Sequence, residues 1–94
     1  MMSIEEIRER IAPILEKWGV RRASVFGSYA RGEADDNSDV DILVELSEDM
    51  SLMDLVELKL EIEDVLGKRV DLVEFDALKP SIRESVMEDQ VALT

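Results

Sequence analysis

A glycine-serine pair, Gly27-Ser28, is separated by a ten-residue spacer from Asp39-Val40-Asp41. Glycine lets a chain turn sharply and lets a phosphate approach the backbone with no side chain in the way. Ser28 then opens a helical turn, whose free amide groups and hydroxyl make an anion site. Asp39 and Asp41 stand two apart on an extended segment, so their carboxylates leave one face about 6–7 Å apart at the Cβ level. Such a pair can hold one cation or bridge two at the roughly 3.5–4 Å separation used in phosphoryl transfer. The combination suits a nucleoside triphosphate and its magnesium.

A second metal usually calls for a third carboxylate. Asp71 is the candidate, a charge amid apolar neighbours in Arg69-Val70-Asp71-Leu72-Val73. It can ligate the ion that activates an attacking hydroxyl and serve as that hydroxyl's base. Arg31, one turn after Ser28, either adds charge at the phosphates or pairs with acidic loop residues such as Asp35 or Asp36. Tyr29 either stacks on a base or simply covers the turn, and Glu45 reads as structural.

The elements that must position these residues follow from periodicity. Ser3 and Glu6 form a capping box ahead of Ile4, Ile7, Ile11, Ile14, Leu15 and Trp18, which predicts a helix over 4–18, weakened or bent at Pro13 and ended by Gly19. A first strand is expected over 20–26 and a second over 39–46. In the second, Val40, Ile42, Val44 and Leu46 form a core face, and Asp39, Asp41, Leu43 and Glu45 form the face that carries chemistry. Ser51 and Asp54 cap a further helix with an apolar stripe of Leu52, Leu55, Val56, Leu58, Ile62, Val65 and Leu66, all expected in the core, ended by Gly67. A third strand over 69–75 and a last helix opened by Pro80 complete the order, before an unassigned tail, Val91-Ala92-Leu93. The pattern predicts an α/β (α+β) fold, a small mixed sheet packed with helices, as a single domain over residues 1–94.

Composition narrows the chemistry further. The 94 residues contain no cysteine and no histidine, which excludes thiolate zinc sites, cysteine nucleophiles and imidazole bases. Any metal must bind to oxygen, which favours hard cations. A net charge of −12 opposes direct nucleic-acid binding and favours a basic protein partner. No apolar run approaches the roughly 20 residues that span a bilayer, and the N-terminus lacks a signal-peptide pattern, so the chain is expected to be cytoplasmic.

The string G-S-Y-A-R-G-E-A-D-D-N-S-D-V-D resembles the glycine-serine, ten-residue spacer, aspartate-x-aspartate signature of the DNA polymerase β-like nucleotidyltransferases. The short chain, the G-S-x-A-R-G turn and the strand bearing Asp71 resemble their minimal nucleotidyltransferases. The resemblance implies that Gly27 and Ser28 hold phosphates, with Arg31 a further nucleotide-binding candidate, and that Asp39, Asp41 and Asp71 bind Mg²⁺ and carry catalysis. It further implies an antitoxin of a HEPN/MNT pair that transfers AMP from ATP to a tyrosine of a cognate HEPN ribonuclease toxin, in a hetero-oligomer with that toxin. Too few residues follow Asp71 to build an acceptor-holding domain, which agrees with an acceptor that docks as a separate protein. Two alternatives remain: an antitoxin that neutralises by binding alone, and nucleotidyl transfer to a small molecule or an RNA with help from a partner subunit.

Overall fold

A computed structural model describes all of residues 1–94. The elements run α1 (Ile4–Lys17), β1 (Arg22–Phe26), α2 (Gly27–Arg31), β2 (Val40–Glu45), α3 (Leu52–Leu66), β3 (Val70–Glu74), a 3-10 turn at Phe75–Ala77, α4 (Pro80–Asp89) and β4 (Val91–Ala92). The strands form one mixed sheet in the order β3-β2-β1-β4. The β1–β2 and β1–β4 pairs are antiparallel and the β2–β3 pair is parallel, joined by the crossover helix α3. The small mixed sheet expected from the pattern is thus present.

Both long helices begin as their sequences dictate. Ser3 accepts from the Glu6 amide and Ser51 from the Asp54 amide, each within a complete capping box. From α1, Ile7, Ile11 and Leu15 are buried, and from α3, Leu58, Ile62 and Leu66. These two seams close over Ala23 and Val25 of β1, Val40, Ile42 and Val44 of β2 and Val70 of β3, which form one core. Helix α1 continues through Pro13, whose ring lies on the exposed side. At its end Trp18 Nε1 and Lys17 Nζ donate to the Glu61 carboxylate at 2.8 and 2.6 Å, tying α1 to α3. Hydrogen bonding from Lys17 first, and then from Trp18, holds the Glu61 carboxyl below its ordinary range.

The structure corrects one detail and adds two. The expected apolar stripe of α3 is only partly core: Leu52, Val56 and Val65 are 76%, 43% and 40% exposed. The sheet and α1 contact one side of α3, and the turn of 100° per residue leaves the flanks of a wide stripe in solvent. Leu43 shares the Asp41 face, as alternation places it, and is buried there. The tail read as unassigned makes β4, with the Leu93 amide donating to the Ala23 carbonyl at 2.8 Å and Arg8 Nη2 to the Ala92 carbonyl at 2.6 Å. No helix is long and apolar enough to cross a membrane.

Two substitutions test which side of α3 is core. Ile62→Ala is expected to lower unfolding free energy by about 2–5 kcal/mol, and Leu60→Ala to stay within about 0.5 kcal/mol of wild type, in urea melts of both.

Candidate active site

Strand register places the carboxylates. Asp41 pairs with Phe26 of antiparallel β1 on one side and with Asp71 of parallel β3 on the other. Register partners point to the same face, so Asp41 and Asp71 stand side by side on strands about 4.8 Å apart. Asp39 lies immediately before β2, which begins at Val40 rather than at Asp39 as the sequence suggested. All three aspartates therefore occupy the sheet edge where β1 ends and where β2 and β3 begin.

Gly27 closes this edge. Its φ of 70° is the left-handed conformation that side chains disfavour, and a Cβ there would lie 2.2 Å from Asp41 Oδ2. The glycine is needed both for the turn and because the Asp41 carboxylate fills the space its side chain would take. Helix α2 starts at this turn with no side-chain cap from Phe26. Its first amides thus lack a capping side chain, and free amides of this kind can take an anion.

Asp41 is half-buried, and Asp39 and Asp71 are exposed. Burial pushes the Asp41 carboxyl above its ordinary value, and repulsion from Asp71 and then Asp39 pushes the same way, against a smaller opposing pull from Arg31. Three mutually repelling carboxylates on one edge, with no histidine or cysteine in the chain, form a donor set suited to a hard divalent cation. The three side chains do not converge on one point, and Asp39 Oδ1 leans instead toward Arg69 Nε at 3.6 Å.

Ser28 is half-buried at the start of α2. Arg31 pairs with Asp89 of α4 (Nη1 to Oδ2, 3.0 Å) and with Glu33 (Nε to Oε1, 3.1 Å), not with Asp35 or Asp36. Those hydrogen bonds, Asp89 first, raise its already high pKa. Tyr29 is buried in the core and its hydroxyl has no partner, so it covers the turn from inside. Glu45 pairs with Arg22 at 3.6 Å, away from the aspartates. The 35–38 loop is closed on itself by Asp35 and Ser38, and Lys68 Nζ donates to the Asp36 carbonyl at 2.8 Å.

Sequence reading missed Lys68, Arg69 and Asp89. Lys68 and Arg69 line a polar recess of about 250 Å³ with Asp36–Asp39, and their position three and two residues before Asp71 was the available signal. Asp89 reaches Arg31 across 58 residues, a pairing that no local pattern announces. A recess of about 390 Å³ lined by Arg21, Glu45, Glu48 and Phe75 lies at the opposite end of the sheet and plays no part in this edge.

A mixed sheet that gathers a glycine-serine turn and three aspartates at one edge is the arrangement of a nucleotidyltransferase. The chain belongs to the nucleotidyltransferase domain family, which matches residues 4–93. It is 51% identical to a candidate protein adenylyltransferase of Methanocaldococcus jannaschii, over 96% of this chain and 97% of that one. It is 44% identical to the protein adenylyltransferase MntA of Thermococcus cleftensis, over 97% and 96% of the two chains. Among solved structures, one described as a minimal nucleotidyltransferase superposes with a TM-score of 0.82 at 41% identity, covering 96% of this chain and 95% of that one. A toxin-antitoxin complex with AMP-PNP contains a chain that superposes with a TM-score of 0.80 at 25% identity, covering 93% of this chain and 72% of that one. The fold is that of the polymerase β-like nucleotidyltransferases.

The raised Asp41 pKa has a definite sign in stability. The folded state holds the Asp41 proton more tightly than the unfolded chain, so this group favours folding at low pH and loses that contribution as pH rises through its folded pKa. Without divalent metal, Asp41→Asn is expected to melt above wild type at neutral pH. The gap should close as pH falls toward the ordinary aspartate value of 3.8, and paired thermal melts across that range measure it.

Proposed function

We propose that this chain, acting as a single minimal domain, transfers AMP from ATP to a tyrosine hydroxyl of a HEPN ribonuclease toxin and so works as its antitoxin. The observation that carries the reading is the side-by-side placement of Asp41 and Asp71, with Gly27 packed directly beneath the Asp41 carboxylate. The names of the relatives and the toxin-antitoxin complex with AMP-PNP support the substrate and partner classes.

Gly27 leaves the phosphates a clear approach, and the α2 amides with the Ser28 hydroxyl hold the outer ones. Arg31 supplies further positive charge once it exchanges a carboxylate partner for a phosphate. Asp39, Asp41 and Asp71 are the residues that would hold Mg²⁺. When bound, the metal offsets their mutual repulsion and stabilises charge developing on the α-phosphate and the leaving oxygen. Asp71, exposed on β3, takes the proton from the acceptor hydroxyl. The hydroxyl oxygen forms its bond to the α-phosphorus as the bond to the β-phosphate oxygen breaks, and pyrophosphate leaves. The acceptor docks as a separate protein, and a charge of −12 favours a basic one.

The test is the intact mass of the protein that co-purifies with this chain, before and after incubation with ATP and Mg²⁺. One or more added AMP units are expected with wild type, and roughly a 10²-fold or greater loss of rate with Asp39→Asn or Asp41→Asn. A tight complex with no mass gain, still formed by both variants, would show an antitoxin that acts by binding alone.

A further inference from the structure

The catalytic face carries a second concavity. Between β1, β4 and the end of α4 lies a recess of about 560 Å³, lined by Arg22, Ser24, Met87, Gln90 and Thr94 among others. Its volume falls within the roughly 300–1,000 Å³ of small-ligand sites. We infer that it is the nucleoside pocket and that Gln90 is the group that reads adenine. This rests on the nucleotidyl transfer proposed above and names the group that selects the base.

The direction of the reaction points there. In-line displacement sets the acceptor oxygen, the α-phosphorus and the pyrophosphate oxygen in one line. With pyrophosphate at α2, beyond β1, and the acceptor oxygen at Asp71 on β3, that line crosses the strands. The ribose then leaves the phosphorus in the plane perpendicular to that line, and one direction in that plane runs inward along the strands, over the sheet face. Inward from Asp41 the register runs from the Phe26–Asp41 pair to the Ser24–Leu43 pair. Ser24 thus lies about 8 Å from Asp41 on the same face, counting two residues along and one strand across. Ser24, buried at 5% exposure, is part of the recess lining.

The lining has the groups a purine needs. Gln90 ends α4, and its backbone amide donates to the Val86 carbonyl. Its side-chain nitrogen reaches only the Met87 sulfur, at 3.5 Å. A thioether is a weak acceptor, so the carboxamide has both donor and acceptor capacity to spare. A carboxamide matches the amino donor and N7 acceptor of adenine in a paired contact, whereas guanine sets an oxygen where adenine has its amino group. The Met87 side chain is polarizable and conformationally adaptable, suited to packing on a base. Arg22, by contrast, is already engaged by Glu45 at 3.6 Å and lies over the Phe75 ring at 4.7 Å.

The experiment is calorimetric titration of the full chain with ATP and with GTP, in Mg²⁺, for wild type, Gln90→Leu and Gln90→Glu, each checked by a thermal melt for retained fold. Wild type is expected to prefer ATP by about tenfold or more, the scale of one good paired contact, and both variants to lose most of that preference through weaker ATP binding. A wild type that binds the two nucleotides equally, or folded variants that keep the wild-type ratio, would overturn the assignment. Because binding is read on the chain alone, loss of preference in the variants supports the pocket even where no partner protein gains mass.

Discussion

Three like charges held at one sheet edge are the constraint around which the rest of this fold is arranged. Asp41 and Asp71 are neighbours because β2 and β3 run parallel in matched register, and parallel strands require a crossover, which α3 supplies. Burial and repulsion both work against ionisation of Asp41. The edge persists because the carboxylates are carried on strands whose other face is locked into the core by Val40, Ile42 and Val70. Gly27 completes the arrangement from β1, since any larger residue would displace the Asp41 carboxylate.

Charge is managed differently at this edge from the rest of the surface. The chain has 23 acidic and 11 basic residues, and several bases are spent on pairs away from this edge, such as Arg8 with Glu5 within α1 and Lys17 with Glu61 between α1 and α3. Arg31 and Arg69 instead flank the aspartates, one on the α2 side and one ahead of β3. Arg69 is 86% exposed at its side chain, so solvent screens its weak pairing with Asp39 and leaves it available. An otherwise repulsive edge thus keeps cationic groups on both flanks, where an anionic substrate would enter and leave.

Much of this was legible in the sequence because the controlling signals are local. Capping boxes at Ser3 and Ser51, glycines at helix ends and strand alternation in β2 each depend on neighbours a few residues apart. The glycine-serine turn and the two aspartates are equally local, which is why their shared edge could be anticipated. What escaped has a nonlocal cause. The exposure of Leu52 and Val56 depends on how far α1 and the sheet reach around α3. The two-residue strand β4 is too short to show a period and forms only because β1 offers an open edge. The pairing of Arg31 with Asp89, rather than with the nearer Asp35 or Asp36, reflects α4 packing against α2 and could be seen only in three dimensions.

On the proposed function, one edge of the sheet binds the triphosphate and the metal together. A crystal structure of the chain with a non-hydrolysable ATP analogue and Mn²⁺, read by anomalous scattering, tests it most directly. Manganese is expected among Asp39, Asp41 and Asp71, with the outer phosphates on the Ser28 end of α2. Manganese or phosphates bound elsewhere, with this edge empty at saturating ligand, would contradict it.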